Sequence, residues 1–324
     1  MYLLSFKRQN KLEIAVIRYT LILIILNFSL LIAGGNSTYE FLRLDVSPRA
    51  SALGGNFIAM VDDPTLLFYN PAGLSTLKNS YASVGFFKHL IDINLGYGVY
   101  TLNLKNLGNI GIGFIYINYG NFNQTDRYGN QLGSFSAGEI AIIGGFSREY
   151  ERLKYGISSK LIYSSIAGAR SIAVAIDIGG MYVIEEKNLN ISLTLNNIGT
   201  QLNSYISLKE NLPFEVKFAI SKKLEHLPLL LNIGLSKINE PTQKIQDKFK
   251  NFTIGGEFNI SENIDFRFGY NNERRREMKI TPALDLTGFS FGIGLKIQNY
   301  RFDYSLISLG KIASLHQIGL TIKI

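Results

Sequence analysis

The chain has 324 residues with 31 Gly, 7 Pro, no Cys and no Trp, against 18 Tyr and 21 Phe; 33 basic and 25 acidic residues give a formal charge of +8. Without Cys there is no disulfide framework, no thiolate metal site and no Cys nucleophile. The length admits two ordinary domains or one large all-β domain.

The chain opens on a basic lead, Lys7, Arg8, Lys11 and Arg18, broken only by Glu13. An almost uncharged run, "YTLILIILNFSLLI" (19–32), follows and ends in "AGGNS". Charged lead, apolar stretch and small-residue window with Ala33 and Gly35 are the parts of a secretory signal peptide. The apolar run is shorter than the roughly twenty residues of a spanning helix. A signal peptide over 1–35 is therefore preferred to an uncleaved anchor, and export is expected. Its removal leaves 29 basic against 24 acidic residues, so part of the basicity is targeting. No Lys/Arg stripe interleaves with aromatics, and "ERRRE" (273–277) carries its own flanking acids; no nucleic-acid partner is expected.

Residues 36–78 lack any two-residue alternation. Within them, "RASALGGNFIAMVDDPTLLFYNPAGLSTL" (49–77) is rich in small residues and turn formers. Asp63 before Pro64 reads as an N-cap followed by proline at the first helical position, which predicts a short helix over "PTLLFY". Asn70 before Pro71 repeats the device, with Gly73 expected to end it. Small residues such as Gly54, Gly55 and Ala59 suit a segment packed closely on several sides.

From residue 79 to 324 the period is two. "LNISLTL" (189–195), "GFSFGIGLKI" (288–297), "IDFRFGY" (264–270) and the terminal "IGLTIKI" alternate apolar with small or polar residues, the pattern of half-buried strands. Fourteen segments are predicted, near 79–88, 92–104, 109–119, 134–149, 153–167, 170–184, 188–198, 212–223, 228–239, 249–260, 263–272, 286–297, 299–309 and 312–324. Most are long for soluble strands and long enough, when tilted, to cross a hydrocarbon layer about 25 Å tall. Short polar connections ("KNLGN", "YER", "EEKN", "LEHLP", "SEN", "QNY") follow every even segment, and longer loops fall on the other rim, near 120–133, 200–211, 240–248 and 273–285. That asymmetry is an outer-membrane barrel's, short turns to the periplasm. A soluble exported β-sandwich or solenoid is the alternative fold. Fourteen tilted strands close into a cylinder roughly 28 Å across, too wide for wall side chains to fill. The polar set (Asp265, Arg267, Glu215, Lys217, Glu257, Lys296, Lys323) is thus expected inside and the apolar set against lipid, with Tyr81, Phe87, Tyr150, Tyr163, Phe249, Phe289 and Tyr300 as interfacial girdles. Residues 36–78 are expected to fill the bore as a plug. The predicted fold is all-β, an antiparallel transmembrane β-barrel of about 14 strands with an N-terminal luminal plug.

The same residues carry a resemblance. The stretch 49–77, with its small-residue run, its D-D-P and its N-P-A-G-L, resembles the N-terminal signature of the PorV/PorQ family, relatives of the FadL-type long-chain fatty-acid transporters. "LIDINLGYG", "YGNFNQTDRYGN", "LNNIG" and a final strand led in by His316 extend the likeness along the mature chain. The resemblance implies a fourteen-stranded outer-membrane barrel with its N-terminal segment in the lumen. It also implies a structural plug motif at Gly54, Gly55, Asp62, Asp63, Pro64, Asn70, Pro71, Ala72 and Gly73. The sequence departs from it at His89, Gln317 and the terminal Ile324, where an aromatic residue, a basic residue and a terminal aromatic residue are common.

No enzyme chemistry is expected. Ser314 and His316 share a strand face but have no orienting acid, Asp62 and Asp63 read as turn acids rather than metal ligands, and "GGN" and "GAGAR" lack the strand–loop–helix context of a phosphate cradle. Neither cofactor nor metal is expected. Two functions are carried forward. One is a PorV/PorQ-like part in type IX-type protein export or surface attachment, receiving secreted cargo and meeting secretion components through its long loops, "NNERRREMKITPALD" among them. The other is a FadL-like channel for long-chain fatty acids or other hydrophobic solutes, with a lateral gap at a strand bend near the Gly pairs 144–145, 179–180 or 255–256; an uncharacterised structural porin remains behind both. Outer-membrane lipid is the partner common to all.

Overall fold

The computed structural model describes residues 37–88, 93–242, 244–280 and 285–324. The expected signal peptide (1–35) lies outside these residues, as does His89. The described chain forms fourteen strands: β1 (Tyr81–Lys88), β2 (Asn94–Asn103), β3 (Asn109–Thr125), β4 (Gln131–Tyr150), β5 (Leu153–Ile166), β6 (Ala169–Ile184), β7 (Leu189–Asn203), β8 (Glu215–Lys223), β9 (Leu229–Leu235), β10 (Phe252–Asn259), β11 (Ile264–Asn271), β12 (Phe289–Ile297), β13 (Tyr300–Ser308) and β14 (Ser314–Lys323). Each pairs antiparallel with its sequence neighbours, and β1 closes on β14 from Tyr81↔Lys323 to Lys88↔His316, making one closed barrel. Closure leaves no exposed sheet edge, the condition for a sheet to stand in hydrocarbon.

Alternation sets the two faces. Val84, Ile112, Ile142, Leu161, Leu193, Ile233 and Ile318 point outward and are exposed. Neighbouring positions such as Ser83, Ser158, Thr194 and Asp265 point inward and are buried. An apolar coat around a closed barrel is the build of an outer-membrane protein. The short rim turns, two residues long at 151–152 and 298–299 and four at 185–188, place Glu151, Asn188 and Gln298 at positive φ, as tight reversals between antiparallel strands require.

Three expectations change. The long loops predicted at 120–133 and 200–211 are partly strand: β3 and β4 pair as far as Thr125↔Gln131, and β7 runs to Asn203. Their Asn, Gln and Ser residues break the apolar period because both faces of these tips meet polar surroundings. Tyr81 and Phe87 face the bore and join the interior core rather than a girdle, whereas Tyr150, Tyr163, Phe249 and Tyr300 are exposed. The expected irregularity does not fall on the Gly pairs themselves: pairing runs without a shift through Gly144–Gly145, Gly179–Gly180 and Gly255–Gly256, and the register shifts lie near Asn118–Asn121, at Gln124–Thr125, at Ile172–Ala173 and, beside Gly179, at Ile176–Ile178.

Candidate functional site: the occupied bore

Residues 38–77 run through the barrel from one rim to the other. At the long-loop rim the Thr38 amide donates to the Asn211 carbonyl at 3.0 Å, and Arg43 donates to the Phe214 carbonyl at 3.3 Å. At the short-turn rim the Leu77 carbonyl accepts from Asn103 and Asn109, both at 2.8 Å. Between them, Phe57, Leu66, Leu67 and Leu74 are fully buried. Burying each such side chain contributes about 1.5–3 kcal/mol.

Local chemistry fixes this path. The backbone turns through Gly54 and Gly55 at φ 86° and 98°, where an L side chain is strained. A Cβ at Gly55 would also overlap the Asp45 carboxylate, itself bound to Arg274 at 2.9 Å. Asp63 caps the 3-10 turn Pro64–Phe68 by accepting from the Thr65 amide at 2.9 Å. Asn70 caps the turn Pro71–Thr76 by accepting from the Ala72 amide at 3.0 Å, and its Nδ2 donates to the Ile58 carbonyl at 2.7 Å. Gly73 does not end that turn, contrary to the sequence reading; it lies inside it, beneath the Leu66 side chain. Asp62 is exposed at φ 57° and its amide donates to Thr76 Oγ1 at 2.9 Å. The nine motif residues therefore all lie on one luminal path but do not converge on one pocket.

The wall makes room with small residues. At Gly156 a Cβ would come within 2.5 Å of the Pro71 carbonyl carbon, and at Gly179 it would overlap Asn70 Oδ1. Gly292 and Gly319 likewise face Ala52 and Pro48.

On the β10–β13 side the segment is held by a closed ring of alternating charges. Arg49 donates to Asp63 at 3.2 Å and through two nitrogens to Glu257, both at 2.8 Å. Glu257 accepts from Arg267 at 2.6 Å, Arg267 donates to Asp303 at 2.6 Å, Asp303 accepts from Arg301 at 2.8 Å, and Arg301 returns to Asp63 at 2.6 Å. Asp265 joins at Arg267, 3.3 Å, and also accepts from Lys296, 2.8 Å. Asp63 is fully buried and is the acceptor shared by Arg49 and Arg301. Asp63→Asn removes the charge that both guanidiniums meet and should loosen the segment, read as a rise in planar-bilayer conductance over wild type.

Sequence reasoning had placed Glu257, Asp265, Arg267 and Lys296 inside, yet missed Arg49, Arg301 and Asp303. Inward parity on adjacent strands was the available signal: Glu257 pairs with Arg267, and Asp265 reaches Asp303 across Gly294.

The opposite wall departs from the expected polar lining. Leu95, Tyr97 and Val99 on β2, Ile115 and Ile117 on β3, Ile143 on β4 and Ile162 on β5 point inward, are buried, and form one core with Tyr39, Phe41 and Leu53. The bore therefore carries an apolar patch along β2–β5, bordered by Glu139, Lys160 and Ser164, and is charged along β10–β13. At the short-turn rim it opens into a cavity of about 930 Å³ bordered by Asp62, Lys78, Lys105, Glu149, Lys154 and Lys223. Among the described residues no group of three or more His, Asp or Glu is placed to hold a metal ion.

No protein-family model matches this chain, and no curated protein does. Solved structures do match. The toluene transporter TodX of Pseudomonas putida aligns over 87% of this chain and 99% of its own, with 12% identity and a TM-score of 0.56. The toluene transporter TbuX of Ralstonia pickettii aligns over 86% and 98%, with 11% identity and a TM-score of 0.56. A FadL homologue of Pseudomonas aeruginosa aligns over 90% and 100%, with 8% identity and a TM-score of 0.56. Identities this low speak to architecture alone. The chain is a closed fourteen-stranded antiparallel barrel with the fold of the FadL-like outer-membrane β-barrels.

Proposed function

We propose that this protein is a non-enzymatic outer-membrane channel for hydrophobic solutes, with residues 38–77 as its plug. The observation that carries the reading is an apolar patch on the inner wall of β2–β5. A water-filled porin lines its lumen with polar groups; here Leu95 stands against Ile117, and Ile115 against Tyr97 and Ala141, all buried in the bore, with Glu139, Lys160 and Ser164 at the border of the patch. Such a wall passes an apolar molecule without the desolvation cost a polar one meets. The shared fold with proteins described as toluene transporters supports the same reading.

The non-enzymatic part rests on placement. Ser314 and His316 lie on the outward face, where His316 Nδ1 meets the Tyr304 hydroxyl at 2.7 Å. The export reading keeps only the PorV/PorQ-like signature at 49–77. Its expected docking loop is engaged internally: Arg274 binds Asp45, Arg275 donates to the Thr287 carbonyl at 3.1 Å, and Arg276 to Asn251 at 3.1 Å.

The test is uptake of labelled toluene and of oleate by cells of a host lacking its own such channel. Uptake above the empty-vector rate is expected for at least one, reduced about tenfold or more by Ile115→Asp, which puts a charge inside the apolar patch. No uptake of either, together with co-purification of a secreted protein, would return the export reading.

A further inference from the structure

Seven acidic side chains are buried among the described residues. Six meet a cation at 3.1 Å or less: Asp63, Glu257, Asp265 and Asp303 in the charge ring, Asp177 on Lys160 and Glu215 on Lys217. Glu139 on β4 is the seventh, and among the described residues no Lys, Arg or His stands within ion-pair distance of it. Its partners are neutral hydroxyls. Tyr119 donates to it at 2.5 Å, Ser164 bonds it from β5, and the Tyr205 hydroxyl donates in turn to Ser164. A carboxylate taken out of water without a counter-charge is costly, because neutral hydrogen bonds replace only part of its hydration.

The register places this group at a boundary. One cross-strand row runs Phe87, Leu95, Ile117, Glu139, Ser164, Ser171 from β1 to β6. Directly opposed residues share a sheet face, and all six are buried in the bore. The row is apolar as far as Ile117 and polar from Glu139 onward. It lies near the long-loop end of the wall, with Tyr119 and Tyr205 half-buried at that mouth. Tyr39 and Phe41 of the luminal segment pack on the same apolar core.

A head group on Glu139 therefore has its tail beside Ile117 and Leu95, and the sign of the charge selects the head. A carboxylate head meets like charge. A hydroxyl head offers a further neutral hydrogen bond where Tyr119 and Ser164 already supply two. A metal ion calls for several oxygen ligands, and among the described residues no group of three acids or His gathers. An ammonium supplies what the other six buried acids already have, a charge-assisted hydrogen bond.

We propose that the bore binds a small apolar molecule carrying one ammonium group, its head on Glu139 and its hydrocarbon on Ile117 and Leu95, in place of the Tyr39 and Phe41 side chains. This names a substrate class for the channel and rests on the channel reading for the ligand's route.

The test is isothermal titration of the purified mature protein in detergent with three water-soluble probes of one chain length: n-hexylammonium, 1-hexanol and hexanoate, each corrected for protein-free micelles. Hexylammonium should bind saturably and at least about tenfold tighter than hexanol, and hexanoate should not saturate. Glu139→Gln keeps the shape and hydrogen bonds of the acid and removes its charge; it should bring hexylammonium to the level of hexanol while heat-modifiability on gels stays that of wild type. Hexylammonium no tighter than hexanol, hexanoate as tight as hexylammonium, or an ammonium preference that survives in folded Glu139→Gln overturns the proposal. The wild-type comparison decides even where the variant does not fold. Binding is read apart from uptake: toluene uptake without ammonium preference removes this site and leaves the channel, and ammonium binding without uptake does the reverse.

Discussion

Replacing Arg267 with Met should cost the barrel about 3–5 kcal/mol, the range for removing one partner of a buried ion pair. Arg267 is fully buried and bridges three carboxylates, Glu257 at 2.6 Å, Asp303 at 2.6 Å and Asp265 at 3.3 Å. Methionine fills much of the space but leaves those acids sharing Arg49, Arg301 and Lys296 alone. Arg267→Lys should fall between, because an ammonium cannot span three acceptors with one planar fork. The measurement is the denaturant or temperature at which the purified barrel loses its folded gel mobility. A Met variant within about 0.5 kcal/mol of wild type would show that the ring carries no net stabilisation.

The second large effect separates neighbouring glycines. Gly179 points into the bore, where a Cβ would overlap Asn70 Oδ1 and come within 3.2 Å of the Ala72 amide; Gly180 points outward, where the nearest atom is 4.0 Å away. Gly179→Val should therefore displace the Asn70–Pro71 turn, cost roughly 1–3 kcal/mol or more as overpacking, and raise single-channel conductance. Gly180→Ala should change stability by no more than about 0.5 kcal/mol and leave conductance unaltered. The same contrast holds for Gly156→Val, which meets the Pro71 backbone, against Gly144→Ala, whose nearest neighbour is Ser159 Oγ at 4.0 Å. Equal effects of inward and outward substitutions would mean that the turn does not seat on the wall.

Strand number, order and outward face were legible because lipid imposes a strict period of two on every segment that crosses it. Leu189–Leu195 shows this: Ile191, Leu193 and Leu195 face out, while Ser192 and Thr194 are buried inside. Where lipid stops, so does the signal, and the polar tips of β3, β4 and β7 were taken for loops. The two caps at Asp63 and Asn70 were readable because each is a local device confined to three residues. The charge ring was not, because Arg49, Glu257 and Arg301 meet only after closure brings distant segments together. The apolar patch on the β2–β5 wall was hidden for a related reason: Ile115 and Ile117 look like lipid-facing residues until the apolar Tyr39 and Phe41 are known to stand in the bore. Inward glycines carried that hint, since a wall needs them only where another backbone comes close.

The luminal path also dictates an order of assembly. Residues 38–77 reach from Asn211 on one rim to the strand start at Tyr81 on the other, and Arg49 and Asp63 sit midway, clamped to β10 and β13. A ring sealed beforehand would have to admit some forty residues end-on, guanidinium included, through a bore whose middle they pack closely. The seam between β1 and β14 must consequently zip last, wrapping the sheet around an occupant already in position.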